Sequence, residues 1–189
     1  MYKFLWLCLF LVGSASTTCA QQRQNMNNKQ SNHKILVVYF SATGTTARVA
    51  ERLADITNGT LCAILPVDPY TSADLDWNHT RSRSSVEMND PKARPAVGGE
   101  KWDANDYDVI FIGYPIWWDL APRIVNTFIE SHDLKGKTLI PFATSGSSSI
   151  ANSVAALKRE YPALNWKEGC LLNGANEKTV RDWVDKLGI

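Results

Sequence analysis

Six consecutive apolar residues, Ile35 to Phe40 (ILVVYF), run directly into a hydroxyl-rich stretch, Ser41 to Thr46 (SATGTT), and then into helical spacing. A continuous β-branched and aromatic run of this kind is the pattern of a strand buried on both faces of a parallel sheet. From Thr45 to Thr57 the apolar residues Ala47, Val49, Ala50, Leu53, Ala54 and Ile56 recur at helical intervals, and the pattern stops at Asn58-Gly59, a C-terminal turn signal. Strand and helix are thus joined by a loop of four residues.

The alternation continues to the end of the chain. Leu61 to Leu65 reads as a second strand, Val109 to Tyr114 (VIFIGY) as a third, Thr138 to Thr144 as a fourth and Trp166 to Leu172 as a fifth. Helices are predicted over Pro122 to Ser131, with proline in the first turn, over Ile150 to Glu160, and over Glu177 to Leu187. Such βα alternation implies a parallel sheet with helices on both faces, an α/β three-layer αβα sandwich of five strands. Asp68 to Gly99 breaks the rhythm: it is polar, punctuated by Pro69, Pro91, Pro95 and Gly98-Gly99, with a weak helix near Asn78 to Asn89 and an expected place on the surface. Within and before it, Asn58-Gly59-Thr60 and Asn78-His79-Thr80 match a glycosylation acceptor, and both are read as structure only.

The first 33 residues do not share this pattern. Lys3 is followed by nine apolar residues, Phe4 to Val12, and by the small-residue tail Gly13 to Ala20, the build of a secretory signal peptide over residues 1–20. Nine helical residues rise only about 14 Å, under half of a hydrocarbon core of roughly 30 Å, so the run is too short for a finished membrane span. Cleavage after Ala20 would release a soluble exported protein, in the periplasm or cell envelope. Cys19, preceded by Ser16-Thr17-Thr18, is a poor lipoprotein box, and only lipidation there would bring the protein to a membrane. Gln21 to His33 is a Gln/Asn-rich polar tract that cannot join a core and reads as a disordered tether over residues 21–33. The remaining 34–189 form one domain.

Charge narrows the partners. The chain carries 20 Lys and Arg against 19 Asp and Glu, a formal +1, with no basic block of the kind that nucleic-acid binding requires. Three of the basic residues and none of the acidic ones precede Lys34, so the part from Lys34 onward holds 17 basic against 19 acidic residues and a charge of −2.

Ser41, Ala42, Thr43, Gly44, Thr45 and Thr46 occupy the turn from the first strand to its helix. There the free N–H groups of the helix start and the positive end of its dipole face one spot, and four hydroxyls add donors around it. The loop lacks the lysine of a nucleoside-triphosphatase loop and the three-glycine spacing of a dinucleotide fingerprint, so a monophosphate held without a metal suits it best. His79 and His132 have no obvious catalytic partner and are expected to be solvated or locally satisfied; no Cys/His metal spacing occurs and no catalytic dyad is visible.

In these residues the sequence resembles the flavodoxin family. The Ser-x-Thr-Gly-x-Thr loop, here Ser41, Thr43, Gly44 and Thr46, is similar to that family's phosphate loop for flavin mononucleotide (FMN). Gly113 to Trp118 after the third strand and Phe142 to Ser148 after the fourth look like the loops that flank the isoalloxazine ring. The resemblance runs from Lys34 to the C-terminus and implies strand order 2-1-3-4-5, with FMN as cofactor in a crevice at the switch point between strands one and three. Pro115, Ile116 and Trp117 or Trp118 would then wall the ring, and the backbone of Thr144, Ser145, Gly146 and Ser147 would meet its polar edge. In that order Cys62 and Cys170 fall on opposite sheet edges, too far apart for a disulfide. The implied function is electron transfer to or from an unknown redox partner outside the cytoplasm. The alternatives are an NAD(P)H-dependent flavin or quinone reductase of the same fold, and a binding protein for a different phosphorylated ligand. The body's −2 is far from the strongly acidic surface of ordinary electron-carrying flavodoxins, which bears on the choice.

Overall fold

The computed structural model describes residues 33–99 and 102–189. The leader and all of the tether except His33 lie outside the described residues. In chain order the elements are β1 (Ile35–Tyr39), α1 (Thr45–Thr57), β2 (Thr60–Ala63), β3 (Leu65–Pro66), α2 (Arg83–Asn89), β4 (Val97–Gly98), β5 (Val109–Pro115), α3 (Arg123–Glu130), β6 (Thr138–Thr144), α4 (Ala151–Glu160), β7 (Asn165–Trp166), β8 (Cys170–Leu171) and α5 (Glu177–Leu187).

One parallel sheet runs β2-β1-β5-β6-β7, with β8 also paired to β6. This is the expected 2-1-3-4-5 order, the fifth strand being divided into β7 and β8. Its two faces carry separate cores. Leu36, Val38, Ile110, Ile112 and Tyr114 pack against Ile124, Val125 and Phe128 of α3 and Leu157 of α4. Val37, Val109, Phe111 and Phe142 pack against Val49, Ala50 and Leu53 of α1 and Val180 of α5. Adjacent strand residues thus face opposite helix layers, which is why the strand runs are apolar without interruption. Gly113 is the exception in β5, since a Cβ there would stand 2.2 Å from the Phe142 ring.

The division of the fifth strand has a cause in β6. Leu139 O accepts from Lys167 N at 2.8 Å and Ala143 O accepts from Leu172 N at 2.8 Å, so every second residue of β6 addresses the edge strand. Pro141 falls between them and has no N–H to donate. Where the edge strand passes it, pairing lapses between Trp166 and Cys170. Gly169 fills the gap because a Cβ there would lie 2.9 Å from side-chain carbons of Ile150 and Val154 and 3.0 Å from Pro141 O.

The segment 68–99 is more ordered than its composition suggests. β3 and β4 form a separate antiparallel pair that the sequence pattern did not indicate. The predicted helix begins at Arg83, capped by Ser82, whose side chain accepts from Ser85 N. Ser82, Ser84, Ser85 and Met88 are buried, so the segment packs on the domain instead of merely lying over it. Arg123, itself buried at the start of α3, donates from Nη2 to Met88 O at 3.3 Å and ties α2 down. Cys62 lies on β2 at one edge and Cys170 on β8 at the other, as expected, and no disulfide joins them.

Candidate functional site

The register of the central strands brings three loops together. Tyr39 pairs with Gly113, Gly113 with Phe142 and Pro115 with Thr144, so β1, β5 and β6 end side by side. A ligand crevice belongs at this position in a doubly wound sheet, where the strand order reverses.

The first loop turns on Gly44, whose φ of 81° is left-handed and therefore suits a residue without a Cβ. It opens the 13-residue α1 with no side-chain cap and no acidic residue in the first turn. The first N–H groups of the helix consequently remain available to an anion. Thr43 and Thr45 hold their hydroxyl oxygens 3.5 Å apart, and Ser41 Oγ is buried with no hydrogen-bond partner among the described residues. Thr46 points inward instead: buried, its Oγ1 lies 2.9 Å from Thr144 Oγ1 and links the first loop to the third. Arg48 adds a cation that motif reasoning passed over, its Nη1 being 3.7 Å from where a Gly44 Cβ would stand.

The second loop is a two-residue hairpin. Trp117 N donates to Leu120 O at 2.9 Å and Leu120 N to Trp117 O at 3.0 Å, with φ of 44° at Trp118 and 66° at Asp119. Positive φ at both central residues is the type I′ turn, which ordinarily takes Asn-Gly. A tryptophan held there is strained, and such strain persists only where neighbours fix it. Asn152 donates from Nδ2 to Asp119 Oδ2 and supplies one such restraint. The turn sends the two indoles different ways. Trp117 packs edge-on against Phe40 at 5.6 Å and Tyr70 at 5.4 Å, whereas Trp118 is 47% exposed.

The third loop is pinned by Asn173. Ser145 N donates to Asn173 Oδ1 at 2.7 Å, and Asn173 Nδ2 donates back to Ser145 O at 2.6 Å. Ser147 N and Ser148 N donate to Ser145 Oγ at 3.3 and 2.9 Å. The expected backbone edge therefore narrows to Gly146, whose N–H makes no hydrogen bond among the described residues.

Between the loops lie two adjoining cavities of about 410 and 460 Å³ that share Thr43, Pro115, Ile116, Trp117, Ser145 and Gly146. Of the residues singled out in the sequence, all but Ser41, Gly44 and Thr46 line one or both. Ser148, the last residue of the third predicted loop, also lines them, and so do Leu75, Trp77, Ser84, Asn173 and Gly174, which were not anticipated. The lone indole of Trp77 in a polar stretch was the available signal for the first three of these.

A polar cluster holds that stretch in place. Tyr70 donates to Glu87 Oε2 at 2.5 Å, Arg83 Nε donates to Glu87 Oε1 at 2.7 Å, and the Arg83 guanidinium carbon sits 4.0 Å over the Tyr70 ring. Burial, reinforced by the Glu87 carboxylate, pushes the Tyr70 hydroxyl well above the usual phenol range. His132 is satisfied locally, as expected, with Nδ1 2.8 Å from Phe128 O and its ring stacked on Trp102 at 4.4 Å.

The parallel sheet, its paired helix layers and a cleft at the switch point define a doubly wound α/β ligand-binding domain. The chain belongs to the flavodoxin family, whose model, described as flavodoxin, matches residues 34–187. It is similar to the crystal structure of a candidate flavoprotein from Bacteroides eggerthii, with 66% identity, 84% of this chain and 99% of that chain covered, and a TM-score of 0.81. A second candidate flavoprotein, from Bacteroides uniformis, has 57% identity over 81% of this chain and 98% of that one, with a TM-score of 0.79. The crystal structure of a flavoprotein in complex with FMN from Lactobacillus acidophilus shares the fold at 22% identity, covering 82% of this chain and 97% of that one with a TM-score of 0.65. No curated protein matches the chain.

Proposed function

We propose that this protein binds FMN in the crevice and exchanges electrons with a redox partner outside the cytoplasm. The observation that carries the reading is the donor set of the first loop. A buried Ser41 hydroxyl with no partner among the described residues, the uncapped start of α1 and the absence of acidic residues in its first turn suit a phosphate dianion. In this reading Ser41, Thr43 and Thr45 donate to the phosphate, with Arg48 beside the loop balancing its charge. Trp118 offers an indole face to the ring, Pro115 and Ile116 stiffen the wall beneath it, and Gly146 N–H donates to the ring's polar edge. Bound flavin would supply the redox chemistry, and the chain the binding, the orientation and the electrostatics.

Family membership and the FMN complex of the Lactobacillus acidophilus protein support the cofactor. Lys3, the apolar run Phe4 to Val12 and the small residues before Gln21 support export, by soluble release after Ala20 or by lipidation at Cys19. A reductase acting on a small acceptor is the second reading, supported by one observation, that no ionised side chain lines either cavity.

The test is to express the complete chain, purify the processed protein and titrate it with FMN, following flavin fluorescence. Quenching that saturates at micromolar flavin is expected, and no quenching at that concentration overturns the cofactor reading. Turnover with reduced nicotinamide and a quinone then separates reductase from carrier, and cell fractionation with the Cys19→Ala variant separates lipidated from soluble export.

A further inference from the structure

Leu75, Trp77 and Ser84 close the fourth side of the crevice from the stretch that precedes and opens α2, while Trp117 and Trp118 stand on the loop after β5. Arg123 is tied to both. Its Nη2 donates to Met88 O, one helical turn beyond Ser84, and its backbone follows by three positions Leu120, which closes the turn on Trp117. A turn of helix rises 5.4 Å, so the guanidinium stands within roughly 12 Å of the cavity wall at Ser84. It lines neither cavity.

This cation has no counter-charge. Arg123 is 8% exposed, its Nε is buried with no hydrogen-bond partner among the described residues, and no carboxylate there pairs with it. The acidic side chains on the elements around it are engaged elsewhere: Glu87 by Arg83 and Tyr70, Asp119 by Asn152, and Glu130 by Arg94. A guanidinium keeps its proton inside a protein, and a buried charge without an opposite partner is costly. The tie to α2 does not require that charge. A carbonyl accepts equally from a neutral amide, and the bond to Met88 uses one of five guanidinium N–H groups. The eight-residue α3 adds to the same field, because it opens at Arg123, at the strand ends that border the crevice, with the positive end of its dipole.

A positive potential at this place acts on one redox state of a flavin and spares the other. The oxidised ring is neutral; two electrons and one proton make it an anion, and a second proton makes it neutral again. A fixed cation therefore favours the singly protonated reduced ring. We propose that Arg123, acting through space from behind the wall, stabilises the anionic reduced flavin and raises the reduction potential of the bound cofactor. The inference rests on the FMN reading above. Arg123 touches neither phosphate nor ring in this assignment, and its effect is opposite to that of the acidic surface of a low-potential carrier.

The experiment is anaerobic potentiometry of the purified, processed, FMN-loaded protein across the neutral pH range, beside free FMN. In the wild type, the pH at which uptake changes from two protons per two electrons to one is expected about one unit or more below that of free FMN. Arg123→Gln keeps a donor for Met88 O and removes the charge. It is expected to lower the ratio of reduced to oxidised FMN affinity about three- to tenfold, with oxidised FMN affinity within about twofold of wild type. Arg123→Lys retains the charge and is expected to hold that ratio within about twofold. An unchanged ratio in Arg123→Gln, or an equal loss in Arg123→Lys, overturns the proposal. A wild-type protonation change at a pH no lower than that of free FMN also overturns it, and this measurement decides even where Arg123→Gln does not fold. A wild-type protein that takes up no FMN sinks the cofactor reading, whereas normal uptake with any of these three results sinks the role of Arg123 alone.

Discussion

Thr46 and Thr144 are 98 residues apart in the chain, and their hydroxyl oxygens meet at 2.9 Å beneath the crevice. One opens α1 and the other ends β6, so this contact ties the phosphate loop to the loop after β6. Replacing Thr46 with Val leaves the Thr144 hydroxyl buried and unpaired, at an expected cost of about 1 to 3 kcal/mol. The double Thr46→Val, Thr144→Val variant is expected to lose less than the sum of the singles in urea unfolding. Strict additivity would show that the two hydroxyls are not coupled.

Trp118 pays for its position in backbone strain. Trp118→Gly relaxes a left-handed φ and is expected to raise stability by about 1 kcal/mol while weakening FMN binding. Thermal unfolding of flavin-free protein, read beside an FMN titration, checks both halves. A variant that is less stable than the parent contradicts the strain argument.

Asn173 acts on the third loop through two hydrogen bonds to one residue, Ser145. Asn173→Ala is expected to weaken FMN binding and to increase amide exchange at Ser145 to Ser148. Exchange unaltered in that loop, measured by NMR, would remove Asn173 as its brace.

Gly113 admits no side chain. With a Cβ 2.2 Å from the Phe142 ring, Gly113→Ala forces β5 and Phe142 apart, at an expected cost of about 1 to 3 kcal/mol. Adding Phe142→Leu to that variant makes room and is expected to recover part of the loss, which denaturant midpoints would register.

Arg94 bridges Glu130 and Glu160 at 2.8 and 3.0 Å. Its hydrogen bonds, with a further one from Tyr161, hold the Glu130 carboxyl below the usual range. A carboxyl lowered in the folded state stabilises the fold above its unfolded pKa, and that contribution is lost as acid protonates it. Arg94→Gln is therefore expected to cost about 0.5 to 1 kcal/mol near neutral pH, the pair being partly exposed, with the difference closing below roughly pH 4. A deficit that persists at low pH would assign the loss to packing.

What the sequence carried legibly was periodicity. The buried strands and the amphipathic helices, Thr45 to Thr57 and Glu177 to Leu187 among them, have repeats fixed by which face is covered, and these match the structure. The turn of the first loop was legible because a glycine between a buried strand and an amphipathic helix marks a left-handed position, which Gly44 adopts. The fourth side of the crevice was not, because Leu75 and Trp77 sit on irregular backbone whose path is set by long-range contacts such as Tyr70 with Trp117. Asn173 was equally hidden: an amide that clamps a backbone 28 residues away leaves no local trace. The same limit explains the fifth strand, whose break at Lys167 to Gly169 follows from the proline of its neighbour and not from its own periodicity.

That proline has a consequence beyond the strand it divides. An uninterrupted outer strand would expose a row of unsatisfied N–H and C=O groups on which a second molecule could build. Here the border consists of two two-residue pieces, Asn165–Trp166 and Cys170–Leu171, separated by Lys167, Glu168 and Gly169. Each piece offers a template of only two residues, the kind of short edge that discourages pairing between molecules.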